Sequence, residues 1–203
     1  MISAVIVAGG RSSRLGQDKR RLRLWGESGP TLLEHTLAIA RSLSDDVVLV
    51  LNDAAEWPRL PALVLPDRWP DAGPLGGNAT GLAAARHEWA LVLAADLPLL
   101  DPGLLRELLD QPRRGLALVP RRAGPTRNRA GDEPLHALYH RACLPLLERR
   151  LAQGQRQVVA ALAELDVQVF PVDEDDPRLR SFTNINTPEQ LHEVMAALSQ
   201  QSG

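Results

Sequence analysis

Cysteine and aromatic residues are scarce in the sequence, and both shortages narrow the class of protein. The one cysteine, Cys143, excludes an intramolecular disulfide and a cysteine-rich zinc site. Because it lies in an apolar pattern of helical spacing, we expect a buried thiol without a catalytic role. Aromatic residues make up 3% of the 203 residues, so the core must be built from leucine, valine, isoleucine and alanine.

The sequence also lacks an excess of charge and a long apolar run. Its formal charge of −2 gives no overall attraction to nucleic acid or to an anionic membrane, so any phosphate must be bound by a local arrangement. Arginines cluster at residues 20–23 and 121–129, and most of them are expected on the solvated surface. No apolar run reaches the roughly 20 residues of a membrane span, and the apolar start is too short for a signal peptide. We therefore expect a cytoplasmic protein that binds neither nucleic acid nor a membrane.

Short apolar runs alternate with helical patterns along the chain. Buried strands are predicted at residues 2–7, 47–51, 62–65, 90–95, 116–119 and 167–172. Helices are predicted at residues 31–43, 74–86, 102–109, 143–151 and 157–165, and after Pro188. A polar loop rich in glycine and proline is predicted at residues 121–132. This alternation predicts an α/β fold with a mainly parallel sheet covered by helices on both faces, as one domain over residues 1–203.

Two of these helices carry clear start signals. Thr31 and Glu34 match a capping box, in which each side chain bonds to the backbone of the other residue. Thr187 and Gln190 repeat that spacing, with Pro188 at the first helical position. Both signals predict where a helix begins.

Polar residues or a glycine follow several predicted strands. Gly9, Asn52, Asp67 and Asp96 each come just after a strand, and α/β sheets bind ligands beyond the carboxyl ends of their strands. A carboxylate such as Asp96 is costly to bury unless it is paired or bound to metal, and Mg²⁺ is commonly held by one or two carboxylates plus substrate phosphates. The alternative for Asp96 is a cap on the following helix. The alternative for Asn52 and Asp67 is a turn.

Residues 8–19 (AGGRSSRLGQDK) form the most informative segment. Gly9 and Gly10 allow a sharp turn after the first strand, and successive backbone N–H groups in such a turn form an anion-binding concavity. Arg14 and Lys19 add positive charge within reach of the same loop. A P-loop is excluded because Gly-Lys followed by Ser or Thr is absent, and a Rossmann loop because Arg14 stands near the place of the third glycine. The segment predicts a phosphate site of another kind.

The same segment closely resembles the signature of the molybdenum cofactor guanylyltransferases. Three further segments match this family in order: residues 71–77 (DAGPLGG), 94–98 (AADLP) and 184–189 (NINTPE). The resemblance spans nearly the whole chain and implies a Rossmann-like, GT-A-type nucleotidyltransferase fold with α/β/α layers. The implied reaction joins GMP from GTP to molybdopterin carrying molybdenum, with pyrophosphate as the second product and Mg²⁺ as the cofactor.

The resemblance also implies roles for single residues. Arg14, Lys19 and Asp96 would be catalytic, and Asp96 would bind Mg²⁺. The nucleotide would contact residues of the first motif and of the strand ends: Val7, Ala8, Gly9, Gly10, Lys19, Asn52, Asp67 and Asp96. The acceptor would contact Gly76, Gly77, Asn184 and Asn186, for which simple turns are the alternative. GTP and molybdopterin are the implied partners, together with transient contacts to other proteins of cofactor biosynthesis.

Other functions stay open at this point. The same chemistry could use CTP with molybdopterin, or a sugar phosphate as acceptor, although Gly10 in place of alanine resembles the GTP-using branch. A non-catalytic nucleotide-binding regulator is the alternative of a different class, and the presence of Arg14, Lys19 and Asp96 together argues against it. The histidines show no metal-binding spacing, so His136 and His140 are expected to be structural or to lie on the surface.

Overall fold

A computed structural model of the chain describes residues 1–9, 16–123 and 131–199. Its sheet has seven strands: β1 (Ser3–Val7), β2 (Asp46–Val50), β3 (Leu63–Leu65), β4 (Trp89–Ala94), β5 (Ala117–Arg122), β6 (His136–His140) and β7 (Val167–Val172). The α-helices are α1 (Leu32–Leu43), α2 (Pro74–Ala84), α3 (Pro102–Asp110), α4 (Leu144–Ala152), α5 (Val158–Leu162) and α6 (Pro188–Ser199). Short 3-10 helices lie at Lys19–Arg21, Ala54–Glu56, Arg141–Cys143 and Pro177–Phe182. Within the described ranges, no helix combines the length and the apolar character that a membrane crossing requires.

The strand order in the sheet is β3-β2-β1-β4-β6-β5-β7. β4 is the middle strand of the seven, β1 beside it is parallel to both β2 and β4, and the outer pairs β2–β3 and β5–β7 are parallel as well. β6 is antiparallel to both of its neighbours, β4 and β5. The predicted α/β fold with a mainly parallel sheet is therefore confirmed, with one reversed strand inside it.

Helices cover both faces of the sheet. Side chains alternate along a strand, so Ile6 of β1 packs in one core with α1 and α3, whereas Val5 of β1 packs in a second core with α2, α4 and α5. A smaller third cluster joins α6 to the segment that precedes α1, through Leu24, Leu32, Ile185 and Val194. The predicted α/β/α layering is confirmed.

Both predicted helix starts are present, and that of α1 has the complete capping box. The Glu34 N–H donates to Thr31 Oγ1 at 3.2 Å, and the Thr31 N–H donates to Glu34 Oε2 at 2.7 Å, which completes the capping box of α1. At α6 the Gln190 N–H donates to Thr187 Oγ1 at 3.3 Å. Gln190 Oε1 accepts from the Asn186 N–H at 2.8 Å, one residue earlier than a capping box requires.

Glycines let α2 approach the sheet closely. A Cβ on Gly77 would lie 2.5 Å from Val7 Cγ1, and a Cβ on Gly81 would overlap Val5. Real Cβ atoms do not come this close, so any side chain at Gly77 would displace β1 or the helix. The glycines of this helix therefore have a packing reason that is independent of any ligand.

The sequence-based prediction is wrong in three places. The polar loop predicted at residues 121–132 is shorter, because β5 pairs with β7 as far as Arg122 and Arg121 bridges back to Asp132. Arg121 Nε donates to Asp132 Oδ1 at 2.7 Å, which ties the two ends of the segment together. The strand β6 was not predicted as an element, and the helix predicted at residues 157–165 is limited to α5.

Candidate active site

The neighbouring strands β1 and β4 bring two of the four predicted strand-end residues, Gly9 and Asp96, to one place. Val7 pairs with Ala94 at the carboxyl ends of these strands, and the Ala95 N–H donates to the Val7 carbonyl at 3.1 Å. Gly9 and Asp96 follow on either side of this pair. Two adjoining cavities open at this point, and both are lined by Asp96.

The first cavity has a volume of about 240 Å³ and is bordered by the end of β1. Its lining includes the predicted nucleotide-binding residues Val7, Ala8, Gly9, Lys19 and Asp96. Gly10 and Arg14, which complete the predicted set at this loop, lie outside the described residues. The first cavity is thus bordered by Gly9 at one end of the loop, by Lys19 at the other end, and by the Asp96 carboxylate that follows β4.

Lys19 connects three of the four sequence motifs. Its Nζ donates to Asn186 Oδ1 at 2.8 Å and lies 3.5 Å from Asp96 Oδ2. The Lys19 side chain is largely buried, while that of Asp96 is about one-third exposed toward the cavities. A buried lysine paired with a carboxylate and an amide keeps its positive charge directed at one point, which suits an anionic ligand.

Asp96 does not cap the following helix, which was the alternative to a metal-binding role. The cap of α3 is Asp101, whose Oδ1 accepts from the Gly103 N–H at 2.8 Å and from the Leu104 N–H at 3.0 Å. The carboxylate of Asp96 instead stands at the junction of the two cavities. Its place in the fold therefore agrees with a ligand-binding role.

Arg20 lies beneath the first cavity and is a residue that the sequence-based prediction missed. It was included in a cluster expected on the surface, yet it is only 6% exposed. Its guanidinium donates to Asp18 Oδ2 at 2.7 Å, to Asp53 Oδ2 at 2.6 Å and to the Ala8 carbonyl at 3.0 Å. The last contact spans the whole loop, because Ala8 and Arg20 are its two ends.

The charges around Arg20 stabilise one another. Burial of Asp18 and Asp53 opposes their ionisation, but the hydrogen bonds and positive charge of Arg20 outweigh it and lower the pKa of both carboxyls below the ordinary value. Burial likewise opposes the charge of Arg20, whereas its bonds to both carboxylates raise its pKa. Arg20, Asp18 and Asp53 therefore stay ionised together, and we call them the Arg20 clamp. The clamp fixes the position of Lys19, which lies between Asp18 and Arg20.

The second cavity is larger, with a volume of about 460 Å³. It shares Ala94, Asp96 and Leu135 with the first cavity. The predicted acceptor residue Asn184 lines it, and its Oδ1 has no hydrogen-bond partner among the described residues. The remaining wall is mostly polar and comes from β5, from the start of β6 and the segment before it, and from the start of α6 and the region before it: Arg122, Asp132, Glu133, His136, Thr183 and Gln190.

Ion pairs stiffen the wall of the second cavity. Arg122 Nε lies 2.7 Å from Glu133 Oε1, and Arg121 Nε lies at the same distance from Asp132 Oδ1. His136 begins β6 on this wall and is 1% exposed. We expected His136 to be structural or to lie on the surface, and we did not expect it in the wall of a cavity. The spacing of the histidines in the sequence does not indicate this position.

Five predicted binding residues line neither cavity in the part of the chain that the structure describes: Asn186, which accepts from Lys19, and four residues around β2, β3 and α2. Asn52 Oδ1 accepts from the Asp67 N–H at 2.7 Å, and Asp67 Oδ1 accepts from Thr80 Oγ1 at 2.8 Å, so these two side chains tie β2, β3 and α2 together. Gly76 and Gly77 pack α2 against the sheet and the Asp67 region. These contacts account for the residues by packing, and their predicted roles toward nucleotide and acceptor stay predictions.

The chain is similar to known proteins in both sequence and structure. Residues 4–167 match the family model of the MobA-like NTP transferase domain. The chain is 45% identical to a probable molybdenum cofactor guanylyltransferase from Chloroflexus aggregans, over 98% of this chain and 95% of that protein. It is 37% identical to a molybdenum cofactor guanylyltransferase from Pseudomonas entomophila, over 94% and 96%. The crystal structure of molybdopterin-guanine dinucleotide biosynthesis protein A from Archaeoglobus fulgidus is similar, with a TM-score of 0.78 at 27% identity over 98% of this chain and 100% of that one.

Proposed function

This chain belongs to the MobA-like NTP transferase family, and we propose that it transfers GMP from GTP to molybdopterin carrying molybdenum. The products are the guanine dinucleotide form of the cofactor and pyrophosphate. Support comes from relatives named molybdenum cofactor guanylyltransferase, at 45% and 37% identity over nearly the whole chain. We place the reaction in the cytoplasm, and transient contacts with other proteins of cofactor biosynthesis belong to the same proposal.

The observation that carries the proposal is the position of Asp96 between two adjoining cavities. A transferase must hold donor and acceptor side by side, so that the attacking oxygen lies close to the phosphorus atom. We assign the first cavity, beside Lys19 and the glycine loop, to the nucleotide. We assign the second cavity, lined by Asn184, to the acceptor. The reacting phosphates would then meet at the shared wall.

One Mg²⁺ fits the donors at this junction. The described residues contain no group of three or more His, Cys, Asp or Glu side chains that could hold a metal by themselves. The protein would therefore contribute Asp96, and substrate phosphates and water would complete the shell, as is common for Mg²⁺. When bound, the ion would offset negative charge on the triphosphate and on the leaving pyrophosphate.

The protein's own residues bind and orient the reacting groups. An oxygen of the acceptor's phosphate attacks the α-phosphorus of GTP, and the bond from that phosphorus to the α,β-bridging oxygen breaks as pyrophosphate leaves. The attacking phosphate is already ionised, so positioning and charge matter more than a side-chain base. We assign Lys19 Nζ to the phosphate oxygens, where it would stabilise the charge that develops, and the predicted Arg14 would add a second cation.

Pyrophosphate release with different nucleotides tests the proposal. The protein is incubated with Mg²⁺, molybdopterin carrying molybdenum, and GTP, CTP or ATP in turn. We expect kcat/KM for GTP to exceed the others by at least about tenfold, or about 1.4 kcal/mol. The physical reason is that a site built to bond to the edge of guanine leaves buried groups unpaired with another base.

Each other outcome points to one alternative. A preference for CTP would assign the protein to cytidylyl transfer, and turnover only with a sugar phosphate would replace the acceptor. Nucleotide binding without turnover of any acceptor would identify a regulator. Removal of divalent ions with a chelator should abolish turnover, and Mg²⁺ should restore it. Full activity in the chelator would contradict the assignment of Mg²⁺ to Asp96.

A further inference from the structure

His136 is an unexplained polar side chain in the wall of the second cavity. It is 1% exposed, and neither ring nitrogen has a hydrogen-bond partner among the described residues. Leaving a buried polar group unpaired destabilises the folded protein, so such a group calls for a reason. Folding alone offers none here, because a leucine of similar size would fill the same space without that cost.

The imidazole of His136 is held in a fixed orientation. Its backbone N–H donates to the Glu133 carbonyl at 3.1 Å, and the residue pairs with Leu93 of the central strand β4. Its ring stands against that of Phe182, with the centroids 4.7 Å apart and the planes at 71°. A rigid strand position and an edge contact with an aromatic ring therefore hold the imidazole in one orientation at the cavity wall.

The ring is also uncharged. Burial lowers the pKa of His136 to about 3, so near neutral pH the imidazole carries one N–H donor and one nitrogen acceptor. On the same cavity wall, Asn184 Oδ1 is a further acceptor without a partner among the described residues. These groups suit the uncharged edge of a nitrogen heterocycle that presents both donors and acceptors. They do not suit a phosphate, which needs cations or several donors.

We infer that His136 recognises the heterocyclic end of the acceptor, a pterin-like ring, by hydrogen bonding through its neutral imidazole. This inference rests on the proposed function, because it places the acceptor in the second cavity. The phosphate end of the acceptor then lies toward Asp96, at the wall shared with the nucleotide. His136 is accordingly a residue for acceptor specificity, with no part in the binding of GTP.

The test compares His136→Leu with wild type in the pyrophosphate assay, with GTP and the molybdopterin acceptor each varied in turn. We expect KM for the acceptor to rise about tenfold or more, since one lost hydrogen bond in a buried site has this effect. KM for GTP should be unchanged. The melting temperature without ligands should be unchanged or higher, because the substitution removes an unpaired polar group from the interior.

The matched control is His140→Leu, the same change at the other end of β6. His140 lies outside both cavities, and its Nδ1 accepts from the Ala142 N–H at 3.2 Å. This variant should lose some stability and keep the acceptor KM. His136→Gln, which retains a donor and an acceptor, should recover part of the acceptor affinity that His136→Leu loses.

The outcomes separate this inference from the proposed function. If wild type releases pyrophosphate with GTP and molybdopterin, but His136→Leu keeps the wild-type acceptor KM, the role of His136 is overturned and the proposed function stands. A lower melting temperature with an unchanged acceptor KM would make His136 a structural residue only. If wild type itself fails to use molybdopterin with any nucleotide, the proposed function falls, and the inference falls with it.

Discussion

Replacing Arg20 by methionine tests whether the Arg20 clamp holds the phosphate loop. Methionine keeps an unbranched side chain of similar length but removes every hydrogen bond of the guanidinium. Asp53 then loses its guanidinium partner, Asp18 keeps only the looser ion pair with Arg21, and the Ala8 carbonyl loses a donor. We expect both a loss of stability and a loss of GTP use, because the loop is no longer closed at its base.

The size of the effect follows from the exposure of the two carboxylates. Removing one partner of a buried ion pair costs about 3–5 kcal/mol. The side chains of Asp18 and Asp53 are 24% and 14% exposed, so water offsets part of this cost. A loss of about 2–4 kcal/mol in the free energy of unfolding remains. For a domain of this size, that lowers the melting temperature by roughly 5–15 °C.

Thermal unfolding and steady-state kinetics with GTP measure this prediction. Arg21→Met is the control, because the Arg21 side chain is 41% exposed and its ion pairs are looser, at 3.4 and 3.6 Å. Exposed pairs of this kind contribute at most about 1 kcal/mol. If Arg20→Met and Arg21→Met melt within a degree or two of each other, the clamp does not stabilise the loop and the reasoning is wrong.

The stability difference should also depend on pH. The pKa values of Asp18 and Asp53 are lower in the folded protein than in the unfolded chain, so their contribution is fully present above the unfolded value near 4. It is lost as the pH falls through the folded values. The gap in unfolding free energy between wild type and Arg20→Met should therefore be largest near pH 7 and shrink below pH 4.

Further substitutions test the junction of the two cavities and the packing of α2. Lys19→Ala should lower kcat/KM for GTP about tenfold or more, because a hydrogen bond to a charged group contributes about 1.5–3 kcal/mol. If the variant keeps the wild-type kcat/KM, the loop is only a structural turn. Asp96→Asn should abolish turnover in a protein that still unfolds cooperatively, because the size is kept and the charge that would hold Mg²⁺ is lost. Near-wild-type activity would contradict a metal-binding role. Gly77→Ala should lower stability by about 1–3 kcal/mol through overlap with Val7, and adding Val7→Ala should restore part of it. A changed acceptor KM without a change in stability would instead support the predicted acceptor role of Gly77.

Elements with local signals were predictable from the sequence. α1 begins where Thr31 and Glu34 form a capping box within three residues, and α3 begins with a proline at its first position. Central strands such as β1 were visible as short apolar runs that end at glycine or aspartate. β6 was not among the predicted strands. Its first residue, His136, is polar yet buried, and this breaks the hydrophobic pattern by which buried strands are recognised.

The candidate site was predictable where it depends on strand ends. Gly9, Lys19 and Asp96 meet around one cavity because β1 and β4 are neighbours in the sheet. The buried position of Arg20 could not be predicted, because its partner Asp53 lies 33 residues away in the sequence. Nothing in the local sequence distinguishes Arg20 from the neighbouring arginines. The wall of the second cavity includes His136, which lies on the antiparallel strand β6. The local sequence does not indicate that this strand is antiparallel to its neighbours.

The place of β5 in the sheet has a consequence for the order in which the protein can assemble. Its two neighbours, β6 and β7, both follow it in the chain, whereas β1 and β4 can pair as soon as residue 94 has been made. During synthesis, β5 therefore has no native strand partner until residues 136–140 emerge from the ribosome. Unpaired strand edges are where chains join one another wrongly. In the interval between the synthesis of β5 and of β6, the nascent chain therefore carries an unpaired strand that is open to aggregation.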